Sequence, residues 1–161
     1  MELLIGKNFI LWSYFIVTYI CFLSFWHSSL FIFKVTGNTK KPQRLVLKVF
    51  SVLLWNLLPY YFFFEAEAFS EPFLFLGIAL SLFSSLTYWL SVKSLNGRKL
   101  AVIHGNIDAN EIFSGGIYRY IRHPFYTSYI VCYLGVSVCL PSVIVITVSG
   151  LLVLVYVLAA Y

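Results

Sequence analysis

Five runs without a single Asp, Glu, Lys or Arg, at residues 9–33, 49–64, 73–92, 125–140 and 142–161, occupy most of this 161-residue chain. They are 16 to 25 residues long. A helix rising about 1.5 Å per residue needs about 20 residues to cross a hydrocarbon core roughly 30 Å thick. The expected fold is therefore all-α: a polytopic transmembrane bundle of about five helices, forming one integral membrane domain over residues 1–161. Composition agrees, with 61% apolar residues against 11% charged.

The first run exceeds a signal-peptide core and has no small-residue cleavage site before its polar flank, so it is expected to remain as a span. A basic loop at residues 34–48, broken by Gly37, Asn38 and Pro42, leads to the second run, where Pro59 is expected to kink the helix. The acidic turn "EAEAFSEP" is short enough to return the third span antiparallel, with Pro72 in its first turn. Residues 93–124 then form a cytosolic loop with glycines at 97, 105, 115 and 116, leading into the fourth run. The fourth is barely long enough to cross, and Pro141 and Ser142 turn it back into the fifth. These last two could pair as a hairpin whose upper end stops short of the far surface.

Loops 34–48 and 93–122 hold ten of the eleven Lys and Arg residues, whereas residues 65–71 hold three glutamates and no cation. Counting spans puts both basic loops on one face, which predicts a cytosolic location for them and an external N-terminus. The net charge of +5 thus reads as a topology signal. It lacks the separate basic domain that nucleic-acid binding would need. Cys21, Cys132 and Cys139 lie in apolar runs and suggest packing, with neither a disulfide framework nor a zinc site. The three histidines are too far apart to suggest a metal site. His27 is expected to join a polar contact between helices, and His104, Asp108 and Glu111 to be loop residues.

The chemistry concentrates in "GGIYRYIRHPFY", residues 115–126. Gly115 and Gly116 can turn the chain at little steric cost, after which Tyr118, Arg119, Tyr120, Arg122 and His123 reach the membrane surface together. His123 precedes a proline, which keeps it out of the helical region and lets Pro124 open the fourth helix. Two arginines beside a helix N-terminus make an anion site, and neighbouring rings can pack on a flat heterocycle or a lipid chain. Tyr118 and Arg122, four apart, would share a face if the segment is helical. The same residues would equally serve as headgroup-snorkelling arginines within an interfacial tyrosine belt.

"FSGGIYRYIRHPFYTSY" resembles the signature of the isoprenylcysteine carboxyl methyltransferase family and its phospholipid methyltransferase relatives. There a glycine, an aromatic residue and Arg-His-Pro-x-Tyr lead into a membrane helix. The matching positions are Gly116, Tyr118, Arg122, His123, Pro124 and Tyr126. "VKSLNGRKLAV", at residues 92–102, is similar to the family's approach to this motif, with a looser match. The family often has a glycine soon after the tyrosine; here Ser128 is small enough to keep a close helix contact. Members normally continue into a cytosolic segment with paired acidic residues, whereas no acid follows Glu111 here, so that segment is expected to be missing from this sequence.

The resemblance implies methyl transfer from S-adenosylmethionine to an amphiphilic or lipid-like acceptor arriving from the bilayer. It makes His123 and Tyr126 cofactor-binding residues, with Tyr118 and Arg122 in the same pocket and Gly116 permitting the turn. Arg122 and His123 become the candidate catalytic residues. A prenylcysteine carboxylate needs no base and would be positioned by arginine, whereas a lipid amine must shed a proton, for which the imidazole of His123 is available. No metal is called for. The alternative is a catalytically inactive membrane scaffold or lipid-binding relative that keeps only the interfacial anion site.

Overall fold

The computed structural model describes residues 2–34, 41–96, 100–101 and 115–160. Five helices run alternately up and down: α1 (Glu2–His27), α2 (Lys41–Phe64), α3 (Glu71–Leu95), α4 (Pro124–Cys139) and α5 (Val143–Ala160). Three short turns among the described residues position the rest, a π-helical turn that extends α1 over Ser28–Ile32 and 3-10 turns over Ala66–Ala68 and Gly116–Arg119. The all-helical expectation holds with one local addition. Phe33–Lys34 and Leu100–Ala101 pair in parallel for two residues, tying the chain that leaves α1 to the chain that leaves α3. His104, Asp108 and Glu111 lie outside the described residues, as do Gly37 and Asn38 of the first basic loop.

The second helix starts eight residues before its apolar run, because Pro42 stands in a first turn, where its missing N–H costs nothing, and not in a loop. The helix continues through Pro59. Apolar stretches long enough to cross a bilayer occur in α1 (Phe9–His27) and α3 (Pro72–Leu95), and those of α2, α4 and α5 are shorter. Large apolar side chains such as Phe9, Phe31, Phe64, Phe75, Val143 and Leu158 stand exposed around the outside of the bundle. A water-soluble surface would not carry so much contiguous apolar area; hydrocarbon accepts it without cost.

At the centre lies α3, which packs lengthwise against α1 and α4; α5 lies against α4 and α2. Small and hydroxyl side chains let these backbones approach, as is usual where lipid removes any hydrophobic drive between helices. On the α1 side Thr18 and Ser81 hydroxyls meet at 3.0 Å, and the thiol of Cys21 donates to the Ser81 carbonyl at 3.1 Å. On the α4 side the Ser84 hydroxyl donates to the Ser128 carbonyl at 2.7 Å, and the Cys139 thiol to the Phe73 carbonyl at 3.1 Å. At Gly77 any Cβ would run into the Cys139 sulfur and the Tyr14 ring. Between α1 and α2, by contrast, the contact is aromatic, with Trp12 and Phe15 on Phe62 at 4.6 and 4.2 Å, and Phe22 on Trp55 at 5.4 Å.

Although α4 has only 16 residues, the hairpin it forms with α5 reaches the far end of α3. The Ser70 N–H donates to the Cys139 carbonyl at 2.8 Å, and the Tyr61 and Ser142 hydroxyls meet at 2.8 Å, so the α4–α5 turn is sewn to the α2–α3 turn. At the other end the 3-10 turn over Gly116–Arg119 makes up the missing length by docking on the last turn of α3.

Candidate functional site

The site is built where α1, α3 and α5 end and α4 begins. Gly116 adopts φ +59°, a left-handed conformation that glycine enters without penalty, and a side chain there would overlap Ser94 Oγ. Ser94 in turn accepts a hydrogen bond from the Ile117 N–H at 3.2 Å. The glycine therefore serves the docking of the turn on α3, and the space beside it is filled by Ser94. Ile117, Tyr118 and Ile121 turn inward, and Arg119, Tyr120 and Arg122 stand exposed, Tyr120 by as much as 82%. Burial pushes the Tyr118 phenol well above its ordinary pKa.

Tyr118 and Arg122 do not share a helix face. The 3-10 turn ends at Arg119, and Arg122 lies in the bend before Pro124. The proline that opens α4 is what interrupts the helix the four-residue spacing would need.

His123 has φ −125° and ψ 64°, outside the helical region as a residue before proline should be. Its carbonyl accepts both the Thr127 N–H at 3.0 Å and the Thr127 hydroxyl at 3.1 Å. Thus the backbone of His123 caps α4, but its side chain makes no capping bond. The imidazole stacks instead on Tyr126, with centroids 5.5 Å apart and planes 12° apart, and His123 itself is exposed.

Beneath this stack lies a tier of rings that sequence reading absorbed into a general aromatic belt. Tyr126, Tyr129 and Tyr133 of α4 surround Tyr156 of α5 at 5.4, 5.1 and 6.2 Å. Tyr129 also meets the Ser28 hydroxyl at 2.7 Å, and Tyr133 meets Ser51 of α2 at 3.5 Å. The available signal was the three- and four-residue spacing of the tyrosines, which puts them on one helix face. On the α3 side His27 Nδ1 meets the Tyr88 hydroxyl at 3.0 Å, and the Tyr88 ring packs edge-on against Phe125 at 5.5 Å.

Of the sequence-predicted residues, His123 and Tyr126 are in direct contact, Arg122 is adjacent and exposed, Tyr118 is half-buried in the preceding turn, and Gly116 fixes that turn. The described glutamates of known exposure, Glu65 and Glu67, lie by the turn at the opposite end. The local charge among described side chains is thus cationic, with Lys93, Arg119 and Arg122 all exposed.

An apolar helical bundle with an exposed imidazole–phenol stack at one end, next to an exposed arginine, suggests a membrane-associated helical protein with a candidate site at that end. The family model for phospholipid methyltransferases matches residues 72–161, from the first turn of α3 through α5. The chain belongs to the phospholipid methyltransferase family, whose members are membrane methyltransferases. No curated protein and no solved structure matches it.

Proposed function

We propose that the chain transfers a methyl group from S-adenosylmethionine to an amphiphilic, lipid-like acceptor at the interfacial end of the bundle. The observation that carries this reading is the release of the His123 side chain from helix capping and its stacking on Tyr126 beside exposed Arg122. The residues present suit the group. A carboxylate can be taken in a fork by Arg122, an adenine can lie on the His123–Tyr126 rings, and a sulfonium is attracted to the faces of phenols. When bound, S-adenosylmethionine supplies an activated methyl, and the chain's own task is orientation and exclusion of water.

In this reading Gly116 and Ser94 hold the turn that carries half-buried Tyr118 beside the stack. Arg122 positions an anionic acceptor or the donor's carboxylate, and His123 accepts the proton that an amine acceptor must lose. In this reading both basic loops face the cytosol and the N-terminus is external, which the charge asymmetry of the sequence supports. The acceptor, whether a prenylcysteine carboxylate or a lipid amine, arrives through the surrounding bilayer.

The rival reading is a lipid-binding or scaffold relative without catalysis. Its support is the outward face of the turn, where Arg119 and Tyr120 stand exposed and suit lipid headgroups. Equilibrium binding of S-adenosylhomocysteine to the chain in lipid nanodiscs, compared with His123→Ala, separates the two. Saturable binding weakened by the substitution is the expected result. Folded protein that binds none would leave the noncatalytic reading.

A further inference from the structure

The first helix lies outside the segment matched by the family, yet its last residues reach under the motif. Ser28 opens the π-helical turn that prolongs α1, a local widening of the helix that re-aims side chains and recurs at functional sites. Its hydroxyl donates to the Phe25 carbonyl at 2.6 Å, which uses its one proton. With that proton on Phe25, Tyr129 donates in its 2.7 Å contact with Ser28; either hydroxyl can be the donor, and the variants below tell the two arrangements apart. Both residues are buried, at 2% and 4% exposure, so no water replaces the bond if either oxygen is lost.

Beyond Tyr129 the route to His123 runs through ring contacts, Phe25 on Tyr129 at 4.4 Å, Tyr129 on Tyr156 at 5.1 Å, Tyr156 on Tyr126 at 5.4 Å and Tyr126 on His123, with Tyr133 beside it meeting Ser51 at 3.5 Å. The Ser28–Tyr129 bond is the directional contact at the root of this series. Ring contacts tolerate sliding and tilting, whereas a buried phenol without an acceptor must turn to find one.

We propose that Ser28 is a positioning residue for His123, acting through Tyr129 and the Tyr156–Tyr126 tier, so that α1 supplies part of the site carried by α3, α4 and α5. In treating His123 as part of a cofactor site the inference rests on the methyl-transfer reading, but its geometry can be read without any cofactor.

The hydrogen-bond directions give the proposal a sign. Ser28→Ala strands a buried phenol and should displace the tier. Tyr129→Phe leaves Ser28 bonded to the Phe25 carbonyl and should be mild. Combining them removes both partners and should restore much of what Ser28→Ala alone disturbs. Ser28→Thr keeps the hydroxyl and should behave as the unmodified chain.

The experiment uses the full chain in lipid nanodiscs, with two readouts on each variant. The first is the imidazole Hε1 NMR shift of His123, which the face of Tyr126 displaces from that of a free ring. The second is the dissociation constant of S-adenosylhomocysteine. Ser28→Ala is expected to move the shift toward the free-ring value and to weaken binding about three- to tenfold. Adding Tyr129→Phe should reverse most of both effects. The proposal is overturned if Ser28→Ala leaves the His123 shift in place, or if the double variant is worse than Ser28→Ala. Should the unmodified chain bind no S-adenosylhomocysteine, the methyl-transfer reading fails, and the His123 shift alone still decides whether Ser28 positions the ring.

Discussion

The hydroxyl of Ser84, midway along α3, donates to the backbone carbonyl of Ser128 on α4 at 2.7 Å, with both residues fully buried. Helices come this close only where neither carries bulk, and Gly135 repeats the condition about two turns further along α4, where a Cβ would sit 3.2 Å from that of Leu80. Ser128→Leu should therefore separate α3 from α4 and cost about 1–3 kcal/mol through overpacking. Ser84→Ala should cost only about 0.5 kcal/mol, because the Ser128 carbonyl sits within a helix and buried polar bonds between membrane helices are modest. Reversible unfolding in mixed micelles would check the order; equal effects of the two variants would contradict it.

Gly116 makes a sharper prediction. Its φ of +59° and the Ser94 oxygen occupying its would-be Cβ position act together. Gly116→Ala should undock the 3-10 turn from α3, with a cost of about 1–3 kcal/mol for strain alone. Pairing it with Ser94→Gly removes the overlap but also the acceptor of the Ile117 N–H, and leaves the positive φ, so no recovery of Ile117 protection is expected. The rate of amide hydrogen exchange at Ile117, whose N–H is held by Ser94, measures docking directly. Unchanged protection in Gly116→Ala would show that the turn is held some other way.

How legible was this in sequence? The five runs located the helices well because an uncharged stretch in lipid has few alternatives to a helix. Their polar extensions were less visible. Residues 41–48 look like loop, yet they form the start of α2, since helical hydrogen bonding continues beyond hydrocarbon and Pro42 is harmless in a first turn. Within the site, the pre-proline His123 and the turn at Gly116 followed from backbone sterics that act over two or three residues. The role of Ser94 and the root of the tyrosine tier at Ser28 did not. Both are contacts between residues 23 and 101 positions apart, and a serine at either position reads locally as one more small polar residue in a membrane helix. The supposed common face of Tyr118 and Arg122 failed because one proline outweighed the spacing.

Tyr118 sets a pH expectation. Burial raises its phenol above the ordinary value of 10.0. A neutral phenol favoured in the folded state leaves stability unaffected below pH 10. As pH rises beyond 10 the unfolded chain ionises first, and the docked turn progressively loses this contribution until the folded phenol also titrates. Tyr118→Phe should therefore remove the part of the turn's alkaline weakening due to this group. In a spectrophotometric titration of the folded protein, the substitution should leave the ionisation step near pH 10 at full amplitude. A step reduced by one tyrosine would mean that Tyr118 titrates as an exposed residue.

The outward side of the turn has a different dependence from the His123 stack. Arg119 and Tyr120 are exposed at the end of the bundle where Lys93 is also exposed, and their side chains suit anionic headgroups. Each basic side chain near such a surface is worth about 1 kcal/mol at moderate salt. Arg119→Gln should lower the preference for spin-labelled phosphatidylglycerol over phosphatidylcholine, an effect that shrinks as salt rises and charges are screened. The same variant should leave S-adenosylhomocysteine affinity within about twofold, whereas His123→Ala should do the converse, weakening that affinity about three- to tenfold through loss of the ring stack while sparing lipid preference. Tyr126→Phe keeps the stacked ring and should bind as the unmodified chain, while Tyr126→Ala should resemble His123→Ala. If Arg119→Gln instead abolished S-adenosylhomocysteine binding, the division between a headgroup face and a cofactor face would collapse, and Arg119 would belong with Arg122.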